Sequence, residues 1–308
     1  MTEPLLPGAL LTELLLTEPP LTEPLHVIVD GGLDDALALS VLVGLKVPMS
    51  QVVATEGSVS LLTTATATGR LMATLGSSVP VRLGSDRALA GAYPAGRDPF
   101  HGTDAFGGKA EALKSAPIPS EQAHSLAGSV LCCGALTLVA QAIQVGCSLT
   151  DVVWMGGAVA VGGNMTAAAE FNAWMDPEAT DQVLASGVPV RMVPLDVTER
   201  FAWSAIELDS LRAAGRLGHL LADAIALAHD RDGFFVPHDA VTAVALTSPD
   251  LFRWTARQAR CETRGELTSG ETVVDRRPWI GPGTVLVAED VDVPEVSARI
   301  LAAVASLR

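Results

Sequence analysis

Leu25-His26-Val27-Ile28-Val29-Asp30-Gly31-Gly32-Leu33-Asp34-Asp35 opens the regular part of the chain. The short apolar run Leu25 to Val29, ending at Asp30, predicts a strand buried on both faces, where no polar alternation is needed. Gly31-Gly32 makes the turn, and Asp34-Asp35 open an apolar helix that runs to about Leu45. The same strand-then-helix alternation recurs downstream. Gln51 to Thr55 and Val79 to Leu83 predict strands, with a Thr/Ala-rich helix from about Ser60 between them. Further strand-like runs stand at Ser129 to Cys133, Asp151 to Met155 and Val188 to Val193. The later part predicts helices over 204–229 and 239–247, strands over 256–263, 271–275 and 284–288, and a closing helix from about Pro294. Such alternation specifies an α/β fold: a mostly parallel central sheet flanked by helices on both faces, related to the Rossmann arrangement.

Domain organisation follows from the interruptions. Residues 84–120 are rich in Gly, Pro and polar groups and form a long loop region. No linker interrupts the pattern after residue 25, so residues 25–308 make a single domain. Residues 1–24 stand apart, because Thr-Glu-Pro occurs three times there, at Thr2, Thr17 and Thr22. They are expected to be a flexible tail, with an upstream start or a short lid as the other readings.

Bulk composition narrows the function. With 49% hydrophobic and 18% charged residues, the chain has ample material for a large core. Twenty basic residues against 35 acidic ones leave a net charge of −15, a field that repels phosphate backbones and anionic lipid. No nucleic-acid or membrane partner is therefore expected. Cys132, Cys133, Cys147 and Cys261 form no Cys-x-x-Cys pair, which suits buried thiols in a reducing cytoplasm. The N-terminus lacks the basic start of a signal peptide.

In open α/β sheets, ligands sit beyond the carboxyl ends of the strands, and three candidate segments lie there. Asp30 ends a strand, and Asp34 and Asp35 begin a helix across a glycine turn. Three carboxylates this close repel unless a cation sits among them or one is protonated, and a hard divalent ion prefers such oxygens. The plainer reading is helix-start stabilisation by Asp34 and Asp35. Neither Asp-x-Asp after the strand nor Asp-Asp-x-x-Asp is present, which argues against two other acidic-motif chemistries. Asn164, Glu170 and Asn172 lie in a Gly-rich segment after the strand ending at Met155, where their side chains suit sugar hydroxyls or ordinary loop capping. His238-Asp239 enters an apolar helix, as a functional pair or as a plain cap.

Taken together, these segments resemble the inosine/uridine-preferring nucleoside hydrolase family, in unbroken order from about residue 26 to the C-terminus. Asp30, Gly32, Asp34 and Asp35 match its Asp-x-Asp-Pro-Gly-x-Asp-Asp motif; Met155-Gly156-Gly157, Gly163-Asn164, Glu170-Phe171-Asn172 and Asp176-Pro177-Glu178-Ala179 match its central signature. His238-Asp239 matches its C-terminal pair, with lesser matches at His101-Gly102-Thr103-Asp104 and Gly134-Ala135-Leu136-Thr137. The resemblance implies hydrolysis of the N-glycosidic bond of ribonucleosides, in nucleoside salvage or catabolism. It implies Ca²⁺ held by Asp30, Asp35, Asp239 and the main-chain carbonyl of Cys133. Asp30 is then the base for the attacking water, and His238 the acid for the departing base, a role that suits a near-neutral pKa. Asp34, Ser58, Asn164, Glu170 and Asn172 would hold the ribose, with Met155 lining the pocket. Assembly as a homodimer or homotetramer is also implied. Two positions depart from the family: Ile28 replaces its first Asp, which supports the metal loop, and Ser58 replaces an Asn. Those departures motivate two other readings, hydrolysis of a different ribosylated compound and a silent ribose- or calcium-binding relative. Tyr93, Phe234 and Phe235 are candidates for stacking on the base.

Overall fold

The computed structural model describes residues 25–94, 101–277 and 279–307; the expected tail over residues 1–24 lies outside them. The chain alternates β1 (Leu25–Val29), α1 (Leu33–Gly44), β2 (Met49–Ala54), α2 (Leu61–Thr74), β3 (Val81–Leu83), β4 (Gly128–Cys133), α3 (Thr137–Gln144) and β5 (Leu149–Met155). It continues through α4 (Phe171–Met175), α5 (Pro177–Ala185), β6 (Val190–Val193), α6 (Leu195–Thr198), α7 (Ala205–Ala213), α8 (Arg216–Asp232) and α9 (His238–Thr247). It closes with β7 (Phe252–Arg257), β8 (Ala259–Cys261), β9 (Thr272–Val274), β10 (Val285–Val291) and α10 (Val293–Ala305).

Eight strands form one sheet in the order β3-β2-β1-β4-β5-β6-β10-β7. All neighbours run parallel except the edge strand β7, which is antiparallel to β10. This is the mostly parallel sheet expected of the sequence. Alternate strand residues feed opposite faces, the period-two rule of extended chain. Val27 and Val29 join one core with Leu37 of α1, Leu221 of α8, Val241 of α9 and Ile300 of α10. Ile28 joins the other with Trp154, Val139 of α3 and Val183 of α5. Both cores share the one sheet, so the fold is a single domain. The register aligns Val29 with Ala54 and with Cys133, which brings the carboxyl ends of β1, β2 and β4 to a common edge.

Two expectations are corrected. The strand read over 256–263 is two strands in different sheets. Arg257 pairs with Val285 in the main sheet, whereas Ala259 pairs with Val274 in the small antiparallel β8-β9 sheet. Its apolar content satisfied both partners, so local pattern alone did not show the switch. The helix read over 204–229 is α7 and α8, separated at Gly215, whose φ of 101° lies outside helical space.

One buried ion pair braces the sheet. Arg191 on β6 donates from Nε to Asp151 Oδ1 on β5 at 3.2 Å, from Nη2 to Asp151 Oδ2, and from Nη1 to the Ala245 carbonyl of α9 at 3.2 Å. Removing one partner strands the other charge in the interior. Asp151→Ala is expected to lower the unfolding free energy by about 3–5 kcal/mol in urea titrations. A loss no larger than a surface substitution's would show that the pair carries no such burden.

Candidate active site

The site grows from the β1-α1 turn. Gly31 takes φ of 93°, and a Cβ there would lie 2.5 Å from Thr64 Oγ1. Asp35 folds back over this turn, its Oδ2 accepting the backbone N–H groups of Asp30 (3.3 Å), Gly31 (2.9 Å) and Gly32 (2.7 Å). These donors belong to the turn that leads into α1, ahead of its first residue. The other oxygen, Oδ1, is buried without a hydrogen-bond partner. Across the turn, Asp30 presses on the chain after β2. A Cβ on Gly57 would fall 2.3 Å from the Asp30 carbonyl oxygen and 2.6 Å from its Cγ. That approach is open only to glycine.

Far parts of the chain complete the cluster. A carboxylate oxygen of Asp35, one of Asp239 in the first turn of α9 and the Sγ of Cys133 at the end of β4 all lie within 4.8 Å of one another. Asp30 stands beside them on the cavity wall. The electrostatics are severe. Burial pushes the Asp30 carboxyl well above its ordinary pKa, and Asp35, Asp34 and Glu170 push the same way. Asp35 is raised to about 8 by burial and by Asp34, although its backbone donors pull down. Asp239 is raised by burial, then by Asp34, Asp35 and Asp30. Buried like charges of this kind favour either protons or a cation. The unpartnered Asp35 Oδ1 and the convergent carboxylates fit a divalent ion with oxygen preference.

A cavity of about 750 Å³ opens above the cluster. Of the residues singled out in the sequence, Asp30, Asp34, Ser58, Cys133, Met155, Asn164, Glu170, Asn172, His238 and Asp239 line it, while Asp35 lies beneath. Glu170 caps α4 and organises its own loop. Oε1 accepts from Asn172 N at 2.8 Å, and Oε2 accepts from Gly157 N at 2.8 Å and Ala173 N at 3.1 Å. Burial raises its carboxyl to about 7 against these donors. Asn172 donates from Nδ2 to the Met155 carbonyl at 3.1 Å, and its Oδ1 is buried and unpartnered. Asn164 Oδ1 accepts from Phe171 N at 2.9 Å.

The histidines differ from expectation. His238 Nδ1 contacts Thr198 Oγ1 at 2.8 Å, and burial lowers its pKa to about 4, with Asp34 opposing and His101 adding to the fall. It is therefore a neutral imidazole at pH 7, not the near-neutral titrating group expected. His101 accepts the Leu33 N–H at Nδ1 (3.2 Å), which leaves the ring proton on Nε2, 3.7 Å from Asp34 Oδ1. Of the aromatic residues proposed for stacking, Phe234 lines the cavity, whereas Tyr93 and Phe235 are buried in packing. Phe171, which entered only within the central signature, also lines the cavity, as do Met165, Glu199 and Ala202, which were not singled out. Their one sequence signal is position: each follows a parallel strand, β5 or β6. Ile28 is fully buried among apolar side chains, so the sheet side of the metal loop is supported by packing.

Comparison with known proteins agrees with this geometry. The profile of the inosine-uridine preferring nucleoside hydrolase family matches residues 27–298. A probable uridine nucleosidase of Oryza sativa subsp. japonica is 30% identical, over 87% of this chain and 92% of its own. A non-specific ribonucleoside hydrolase of Salmonella paratyphi A is 31% identical, over 88% and 95%. Among solved structures, a purine-preferring ribonucleoside hydrolase from Gardnerella vaginalis superposes with a TM-score of 0.82 at 24% identity, covering 92% of this chain and 99% of that one, which speaks for the fold. With the family's profile spanning nearly the whole described domain, and the carboxylate cluster in place at the sheet's carboxyl edge, the chain belongs to the inosine-uridine preferring nucleoside hydrolase family.

Proposed function

We propose that this nucleoside hydrolase cleaves the N-glycosidic bond of ribonucleosides to ribose and free base with the help of Ca²⁺, Asp30 serving as the base. The observation that carries the reading is the convergence of Asp30 and Asp35 with Asp239, distant in the chain, under a cavity that also holds the unpartnered Asn172 Oδ1. Asp30, Asp35, Asp239 and the Cys133 carbonyl would hold the cation, which when bound neutralises the cluster and makes water a stronger acid.

The chain's own groups supply the rest. Asp30, pinned by Gly57 and by Thr64 donating to its carbonyl at 3.2 Å, takes the proton of the water that attacks C1′. Positive charge then develops over C1′ and the ring oxygen, and the carboxylates of the floor stabilise it. Asp34, Ser58, Asn164, Glu170 and Asn172 receive the ribose hydroxyls, and Met155 packs beneath the sugar. A ribose hydroxyl would give the buried Asn172 Oδ1 acceptor a partner. His238 is neutral, so it assists the departing base as an N–H hydrogen-bond donor, and the departing nitrogen takes its proton from solvent. Phe234, half exposed at the rim, offers a face for the base. Cytoplasmic placement, which rests on the free thiols, and a homodimeric or homotetrameric assembly, which rests on the family resemblance, belong to the same proposal. No helix among the described residues is long and apolar enough to cross a membrane.

Purified protein with Ca²⁺ is expected to release reducing sugar from ribonucleosides, with uridine the first to try. Asp30→Ala should reduce kcat by about 10²–10⁴-fold; near-normal turnover in that variant would sink the assignment. Stripping with EDTA and then adding Ca²⁺ should raise Tm by roughly 3–6 °C at about a hundredfold excess over Kd. An unmoved transition would show that the cluster takes no Ca²⁺. Gly57→Ala should lower kcat by about tenfold or more, because the new methyl displaces Asp30; normal kinetics would mean that the turn yields without consequence.

A further inference from the structure

A second buried carboxylate lies beside the cavity without entering it. Asp176 is completely shielded from solvent and sits where α4 ends and α5 begins. Its Oδ1 accepts from Ala179 N at 3.0 Å. Its Oδ2 accepts from Leu89 N at 2.8 Å and from the Thr137 hydroxyl at 2.6 Å. The Thr137 hydroxyl has one proton, and Asp176 receives it. At its 3.0 Å contact with Tyr93 the threonine must therefore accept, so Tyr93 O–H donates. A directed chain runs from Tyr93 through Thr137 to Asp176.

That chain joins three segments that adjoin the cavity. Leu89 and Tyr93 belong to the loop after β3, and Thr137 begins α3, just after the β4 end that carries Cys133. Asp176 terminates the short helix whose Phe171 and Asn172 line the cavity. The Tyr93 ring packs with Ala135 and Met175, against which Phe171 and Trp174 also lie. A five-residue helix has almost no stability of its own. Its orientation comes from its ends, Glu170 at one and Asp176 at the other.

We propose, resting on the reading of the cavity as a ribose site, that Asp176 is a positioning residue: through Thr137 and Tyr93 it fastens the loop after β3 and the start of α3 to α4, and so sets Asn172 and Phe171 against the substrate. Asp176 touches no substrate. Its effect falls on groups that bind the sugar alike in the ground and transition states, which raises KM and spares kcat.

Tyr93 is the only tyrosine in the chain, so phenolate absorbance reports this one group. Burial, with the charge of Asp176 adding, holds its phenol up at about 12. In Asp176→Asn the phenol should titrate lower by about one pH unit, and KM for uridine should rise about tenfold with kcat little changed. Thr137→Val, which removes the acceptor of the phenol's proton, should raise KM similarly and shift the phenol titration; Thr137→Ser should restore both. A phenol titration identical in Asp176→Asn and wild type overturns the link. A shifted phenol with an unchanged KM overturns the positioning role. Should Asp176→Asn not fold, Thr137→Val and Thr137→Ser test the link and the positioning role by the same two measurements. Wild-type protein that releases no base would count against the proposed function instead, and the calorimetric Kd for uridine then replaces KM in the same comparison.

Discussion

Like charge crowded into a dry place governs this molecule. Asp30, Asp35 and Asp239 are each pushed well above the usual carboxylate range, chiefly by burial and then by neighbouring carboxylates, Asp34 foremost for Asp35 and Asp239. Moving ionised carboxylates out of water costs several kcal/mol each unless something compensates. The backbone compensates in part: the N–H groups of the β1-α1 turn converge on Asp35, so the turn that creates the crowding also relieves it. What remains uncompensated is concentrated at Asp35 Oδ1 and its neighbours, and there a divalent cation has most to gain.

The fold serves that concentration. Parallel strands deliver Asp30, Cys133 and Met155 to one edge because their register aligns, and α9 brings Asp239 in from a distant part of the sequence. Apolar packing on both faces of the sheet makes the edge stiff, which like charges require if they are not to drift apart. Around this stiff floor, the wall is built from loops held by single buried side chains. Glu170 commits both oxygens to backbone donors, and Asp176 does the same one helix later. Carboxylates thus do two jobs in one site. Those on the floor crowd where a cation would fit, and those in the wall order the chain around the cavity.

Much of this was legible in the order of residues. Leu25 to Val29 could only be a covered strand, and the glycines after Asp30 could only be a turn, since both follow from local sterics and burial. The segments bearing Asp34, Asn164, Glu170, Asn172 and Asp239 follow or face strand ends, and that position flagged them before any contact was known. Other features were not legible. The run 256–263 satisfied two sheets equally, and its split between β7 and β8 reflects which partners arrive beside it. Tyr93 and Phe235 looked as available for a base as Phe234, yet only packing separates a rim residue from a core one. His238 has the ordinary pKa of its side chain in sequence and about 4 in the fold, because desolvation comes from neighbours that are remote along the chain.

The amino-acid order by itself determined where strands start, where turns bend and which segments carry carboxylates, because propensity, hydrophobic period and glycine freedom act over a few residues. Tertiary structure alone decided which carboxylates share a site, which oxygens are left without partners, which imidazole stays neutral and which tyrosine is tied to Asp176. Those properties depend on distance and dielectric between groups as far apart as Asp30 and Asp239, and neither quantity exists until the sheet has brought them together.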